Sequence, residues 1–191
     1  MPFRRQLLAL PILLLPASCA FLQTTKPDRI FALMPLPPAP LLPSNNAKIT
    51  VAEPVALRVL DTGRIANRSG DLEFQYYSGA LWEDRAPAVL QNLLIASLRH
   101  RIQADVSSDN VVSAGASLTS DLQDFQIEPG NQIHITLVAN FAGMTKTFET
   151  RQTAASDYMT DLVSAFNQGC QEILSEIVAW VASAPAAPGI E

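Results

Sequence analysis

The sequence predicts an α+β fold of two layers, an antiparallel-rich sheet with two amphipathic helices packed on one face. Three observations point there. Apolar residues recur at three- and four-residue spacing in two stretches, one mid-chain and one near the end. Around them, short runs alternate apolar and polar residues and are separated by Gly- and Pro-bearing turns. The 191 residues, 48% hydrophobic and only 16% charged, suffice for one domain with a substantial core.

Ile30-Phe31-Ala32-Leu33 reads as a short first strand. Over residues 34–47, Pro35, Pro37, Pro38, Pro40 and Pro43 forbid helix and central strand and favour an extended course. Such a segment serves either as a tether or as a loop draped over the domain. Residues 48–53 put Ile49 and Val51 on one face, and Val55, Leu57 and Val59 continue the alternation. Leu72, Phe74 and Tyr76 alternate with Glu73, Gln75 and Tyr77, bounded by Ser69-Gly70 and Ser78-Gly79.

A helix is predicted over residues 83–102, its inner stripe formed by Ala86, Val89, Leu90, Leu93, Leu94, Leu98 and Ile102. Pro87 falls in the first turn, where the missing N–H has no intrahelical partner to lose. Strands are predicted over 111–113, 121–127, 131–141 and 145–150, with Pro129-Gly130 suited to a type II turn and Gly143 to another. Ile133, Ile135 and Leu137 face one way, His134 and Thr136 the other. The last helix, over 155–182, carries the stripe Met159, Leu162, Val163, Phe166, Cys170, Ile173, Leu174, Ile177, Val178 and Val181. Gly169 in its middle costs about 1 kcal/mol against Ala and suits close packing on the sheet. Residues 184–191 read as a flexible tail.

Arg4 and Arg5, the apolar run 7–15 and Ala17-Ser18-Cys19-Ala20 have the layout of an export signal. The run is shorter than the ~20 residues a spanning helix needs, and Pro11 and Pro16 interrupt it. Leu15-Pro16-Ala17-Ser18-Cys19 resembles a bacterial lipobox, with Leu15 one position further from the cysteine than usual. The resemblance implies cleavage before Cys19 and lipidation of its thiol. Cleavage by the ordinary signal peptidase would instead leave a soluble periplasmic protein. The expected organisation is a signal peptide at 1–18, a lipidated tether at 19–47, the α+β domain at 48–183 and the tail. Without Arg4 and Arg5, 11 of the 13 basic residues remain against 18 acidic ones, a net of −7. Anionic lipid would repel such a chain, so the anchor is the acyl chains, each buried CH₂ contributing about 0.8 kcal/mol. With Cys19 lipidated, Cys170 has no thiol to pair with and acts as a small apolar residue.

Catalytic patterns are missing from the sequence. His100 lies between Arg99 and Arg101 near a helix C-terminus, where positive charge suits the dipole. Neither it nor His134 has Cys, His or carboxylate neighbours at metal-ligand spacing. Gly-x-Ser-x-Gly, Walker and dinucleotide-binding glycine patterns do not occur. Glu83 and Asp84 are adjacent on the predicted helix and point about 100° apart. The expectation is a protein that is not an enzyme and needs no cofactor or metal. Basic residues are scattered, which argues against a nucleic-acid partner.

Arg64-Ile65-Ala66-Asn67-Arg68, then Leu72-Glu73-Phe74, then Leu81-Trp82-Glu83 at a helix start resemble the ABC-type transport auxiliary lipoproteins, the PqiC-like group. Ile30–Leu33 behind a lipidated cysteine and Ile177-Val178-Ala179 in a long closing helix fit the same pattern. Where the family usually reads Trp-Ala-Glu-Pro, this chain has Trp82-Glu83-Asp84-Arg85-Ala86-Pro87. The resemblance implies a periplasmic, membrane-anchored accessory of an ABC transporter and an MCE-domain protein, moving lipids between inner and outer membranes. Ala20, not Asp, follows Cys19, which by analogy with enteric sorting favours the outer membrane. Arg64, Arg68 and Trp82 are the candidates for a partner-facing surface. The side chain of Trp82 more readily plugs the core at the helix start, and the arginines could be a solvated strand edge. A homo-oligomer is expected. The alternative function is an autonomous lipid or small-molecule carrier, which requires a sizeable apolar cavity between helices and sheet.

Overall fold

The computed structural model describes residues 28–70, 72–108 and 115–187. The signal segment, Cys19, the strand expected at 111–113 and the last four residues lie outside them. Eleven elements follow in order: β1 (Arg29–Phe31), β2 (Lys48–Val51), β3 (Val55–Ala56), β4 (Arg64–Arg68), β5 (Phe74–Trp82), α1 (Ala86–Arg101), β6 (Asp105–Ser108), β7 (Ala116–Glu128), β8 (Gln132–Phe141), β9 (Met144–Thr153) and α2 (Met159–Ser183).

The long strand β7 organises one mixed sheet. β8 and then β9 lie along one side of it in an antiparallel meander. Along its other side β2, β3 and β4 follow one another, all parallel to it. β6 extends the sheet beyond β2, and β5 then β1 extend it beyond β4. The two longest ladders are antiparallel, as expected, while the parallel pairings of β2, β3 and β4 are short. The turns that set the meander are legible in local chemistry. Gly130 (φ 82°) and Asn131 (φ 59°) turn β7 into β8, and Ala142 (φ 49°) and Gly143 (φ 78°) form the two-residue β8–β9 loop.

Both helices pack on one face of the sheet. Leu90 and Leu94 of α1 and Cys170 and Ile173 of α2 meet over Ile135 and Leu137 of β8. Their apolar stripes are buried almost throughout, with Val163 half-buried. Each helix starts later than predicted. Trp82 is still strand, its N–H donating to Gly63 O at 2.7 Å. At α2, Ser156 Oγ donates to Asp161 and accepts from Tyr158 N–H, holding a turn before the helix. Gly169 lets α2 approach the sheet: a Cβ there would sit 3.1 Å from Thr150 and 3.2 Å from Ile135.

Ser78-Gly79 marks a bulge and not a strand end. β5 runs through it, and its register with β4 jumps from Arg64↔Leu81 to Ala66↔Tyr76, with Gly79 at φ 75° absorbing the extra residues. The proline-rich segment is draped over α1. Leu36 N–H donates to Ser97 Oγ, His100 Nδ1 donates to Leu36 O at 2.7 Å and Arg101 Nε to Pro37 O at 2.8 Å. His100 and Arg101 therefore fasten this strap to the helix end. The start of the tail is also held: Asn45 donates to Ala184 O, while Asn46 donates to Pro185 O and accepts from Ala187 N–H. Residues 184–187 are thus tied to the fold through the backbone groups a frayed tail would leave in water.

Candidate functional site: the open face of the sheet

Side chains that alternate away from the helices line an open sheet face, and the strand registers fix their order. One row crosses five strands: Tyr76, Ala66, Gln126, His134 and Arg151. The next row on β7, β8 and β9 is Asp124, Thr136 and Glu149.

His134 sits at the centre of a polar cluster and is 7% exposed. Nδ1 lies 2.9 Å from Glu128 Oε1, and Nε2 lies 3.0 Å from Glu149 Oε1 and 3.1 Å from Thr136 Oγ1. Asp124 is 3.9 Å from Nε2, and Arg151 donates to Glu149. Both ring nitrogens donate to carboxylates only when both carry a proton; with Nε2 bare, Thr136 Oγ–H can donate to it instead. Burial alone would push the Glu128 carboxyl up, but hydrogen bonds from His134 and Gln126 and the charges of His134 and Arg151 outweigh it and hold the group below its ordinary value. Glu149 is held low chiefly by its hydrogen bond to His134 and then by the charge of Arg151. Gln126 donates to Asp124 and Glu128, while its fully buried Oε1 has no partner.

Sequence reasoning missed this cluster, because its carboxylates reach His134 from neighbouring strands. The two tight turns carried the signal. Once Gly130 and Gly143 fix the hairpins, Gln126 and Arg151 must flank His134.

Toward β4 and β5 the face becomes basic and aromatic. Arg64 stacks over Tyr76 at 4.2 Å and Arg68 over Phe74 at 5.6 Å from the ring centroids. Tyr76 Oη donates to Val59 O, which braces the first pair. Both candidate arginines therefore share this face. Trp82 does not join them. At 3% exposure it packs on Phe125 and Phe166, with centroids at 5.5 and 5.0 Å. The β5 bulge turns it inward, so it is a core residue and no part of a surface a partner can touch. Thr136, another uncharged residue of this face, is already buried by its neighbours, whereas Thr145 and Thr147 are exposed.

Among the described residues, the space between the two helices and the sheet is small. The void between α1, α2 and β8 measures about 10 Å³, the room of one water and far below a ligand pocket. Cys170 lines it at 1% exposure, and burial pushes its thiol up to about 12. Among the described residues no group of three or more His, Cys, Asp or Glu could hold a metal ion. No described helix is long and apolar enough to cross a membrane.

Comparison with known proteins bears on the fold and the family. No curated protein matches the chain. The crystal structure of protein XCC0632 from Xanthomonas campestris is similar, with a TM-score of 0.71 and 24% identity over 80% of this chain and 94% of that one. The crystal structure of an uncharacterized protein gives a TM-score of 0.68 and 17% identity over 82% and 99%. At these identities the likeness is one of fold. The family model of the ABC-type transport auxiliary lipoprotein component matches residues 31–178, from β1 through most of α2. The chain belongs to that family.

Proposed function

We propose that this protein is a lipid-anchored periplasmic accessory of an ABC transporter and an MCE-domain protein that move lipids between the inner and outer membranes. Membership of the auxiliary family supports the accessory role. Cys19 carries the acyl anchor, and Ala20 after it favours the outer membrane. The protein contributes a docking surface and performs no chemistry of its own. It works as a homo-oligomer.

The observation that carries the reading is the open sheet face. A domain with a filled core and one helix-covered face keeps the other face for contact. Arg64 and Arg68 there lie over the rings of Tyr76 and Phe74. Arginine and aromatic side chains are the types enriched where proteins bind one another. The nearly filled space under the helices gives no support to an autonomous carrier. The reading is tested by isolating the native, membrane-extracted protein and identifying what accompanies it. Recovery of the ATPase, permease and MCE-domain protein of one system is expected. Isolation of the protein alone, from cells that express such a system, would contradict the reading.

A further inference from the structure

The lateral edges of the sheet differ in a way that matters for assembly. β1 and β6 end two of its branches and are three and four residues long. Among the described residues, β9 is ten residues long and pairs only with β8. A short edge gives an approaching strand little to bond, whereas a long flat one is a template for pairing. β9 contains no proline, and its ladder with β8 runs from Gln132↔Thr153 to Phe141↔Met144 without a register shift. Its helix-side contacts to α2, through Thr150 and Gln152 to Glu172, lie over its face, and no described strand pairs along its outer edge.

We propose that β9 pairs antiparallel with β9 of a second copy about a two-fold axis through Thr150, joining the two sheets edge to edge. The charges on the strand select that register. A strand pairing with itself about a two-fold sets residues of one face against residues of the same face, so the axis must pass through a residue. Glu149 and Arg151 both lie on the open face and are exposed. With the axis at Thr150, Glu149 faces the partner's Arg151 and Arg151 faces the partner's Glu149, two directly opposed attractive pairs. A shift by one residue sets Glu149 against Glu149, or Arg151 against Arg151. Glu172 opposes the contact, since its carboxylate lies 2.6 Å from Thr150 Oγ1 and approaches its counterpart near the axis.

The proposal deepens the homo-oligomer proposed above and rests on it. Thr147 would face the partner's Thr153, while within one chain the two are separated by about 20 Å of strand. Full-length protein carrying both Thr147→Cys and Thr153→Cys should form a covalent dimer on mild oxidation, and each single variant should not. Arg151→Glu should weaken dimerisation about tenfold, by replacing attraction with repulsion at two symmetric places. An oligomer by light scattering that yields no cross-link overturns the strand pairing and leaves self-assembly intact. A monomer at high concentration overturns both, while co-isolation with the transporter remains a separate readout.

Discussion

His134 Nε2 and Glu149 Oε1 lie 3.0 Å apart across the β8–β9 ladder, on the sheet face that carries no helix. With Glu128 at 2.9 Å on the other ring nitrogen, the imidazole ties three consecutive strands together at a buried part of this face. The protein thus fixes the shape of its open face with polar contacts, where the opposite face uses helices.

Acid should loosen this tie. Glu128 and Glu149 are both held below the ordinary carboxyl value of 4.5. A carboxyl depressed by folding stabilises the native state above its unfolded pKa, and that contribution is lost as pH falls through the folded value. His134→Leu removes their partner and should lower the unfolding free energy, because both carboxylates lose the hydrogen-bond donor that holds them low. Urea unfolding should find that cost at about pH 5.5 and a smaller one at about pH 3, below the carboxyl range. An equal cost at both would contradict the ion-pair account.

The β8–β9 loop holds Ala142 at φ 49°, a left-handed conformation that costs a residue with a Cβ roughly 1–2 kcal/mol. Ala142→Gly relieves that strain and loses part of the gain to the greater freedom of glycine in the unfolded chain. The expected result is a rise of about 0.5 kcal/mol in unfolding free energy. A fall on thermal or urea unfolding would mean that the packing of the half-buried Ala142 side chain against the core outweighs the strain.

Cys170 should be inert in the native protein, because its thiol is both enclosed and pushed up to about 12. A thiol reagent at mild alkaline pH should label it only at the rate of unfolding. Cys170→Ala should cost roughly 1 kcal/mol by enlarging the small void and leave transport unaffected. Loss of transport at unchanged protein abundance would show a role beyond packing.

How much of this could be read from the chain depended on the range of the interaction. The helices declare themselves through the spacing of Leu90, Leu94, Phe166 and Cys170, and the meander through Pro129-Gly130 and Gly143. The parallel pairings of β2, β3 and β4 along β7 are long-range and leave no local mark. The same holds for the strap, whose prolines announce an extended course but not that His100 and Arg101 bind it to α1. Trp82 was open to two readings because a bulge at Gly79 decides which way it points. Arg64 and Arg68 come from the resemblance, and their shared face follows from their four-residue separation on β4, an even number of strand positions. The His134 cluster needed two registers at once.

The proposed attachment through Cys19 is tested separately, since the residue lies outside the described residues. Cys19→Ser should abolish palmitate labelling and release the protein from membranes in a carbonate wash. Retention of the variant equal to that of the native protein would sink the acyl-anchor reading.

The open sheet face is the proposed place of contact with the transport machinery. Arg64→Glu combined with Arg68→Glu reverses its basic end at two exposed or half-exposed positions and leaves the core untouched. The direct measurement is the Kd of this double variant for the MCE-domain protein of the same organism, beside its unfolding midpoint. Binding at least about tenfold weaker, equivalent to 1.4 kcal/mol, with a midpoint shifted by no more than a few degrees, is the predicted result. Unchanged affinity in a folded double variant would contradict it and move the docking surface elsewhere on the molecule.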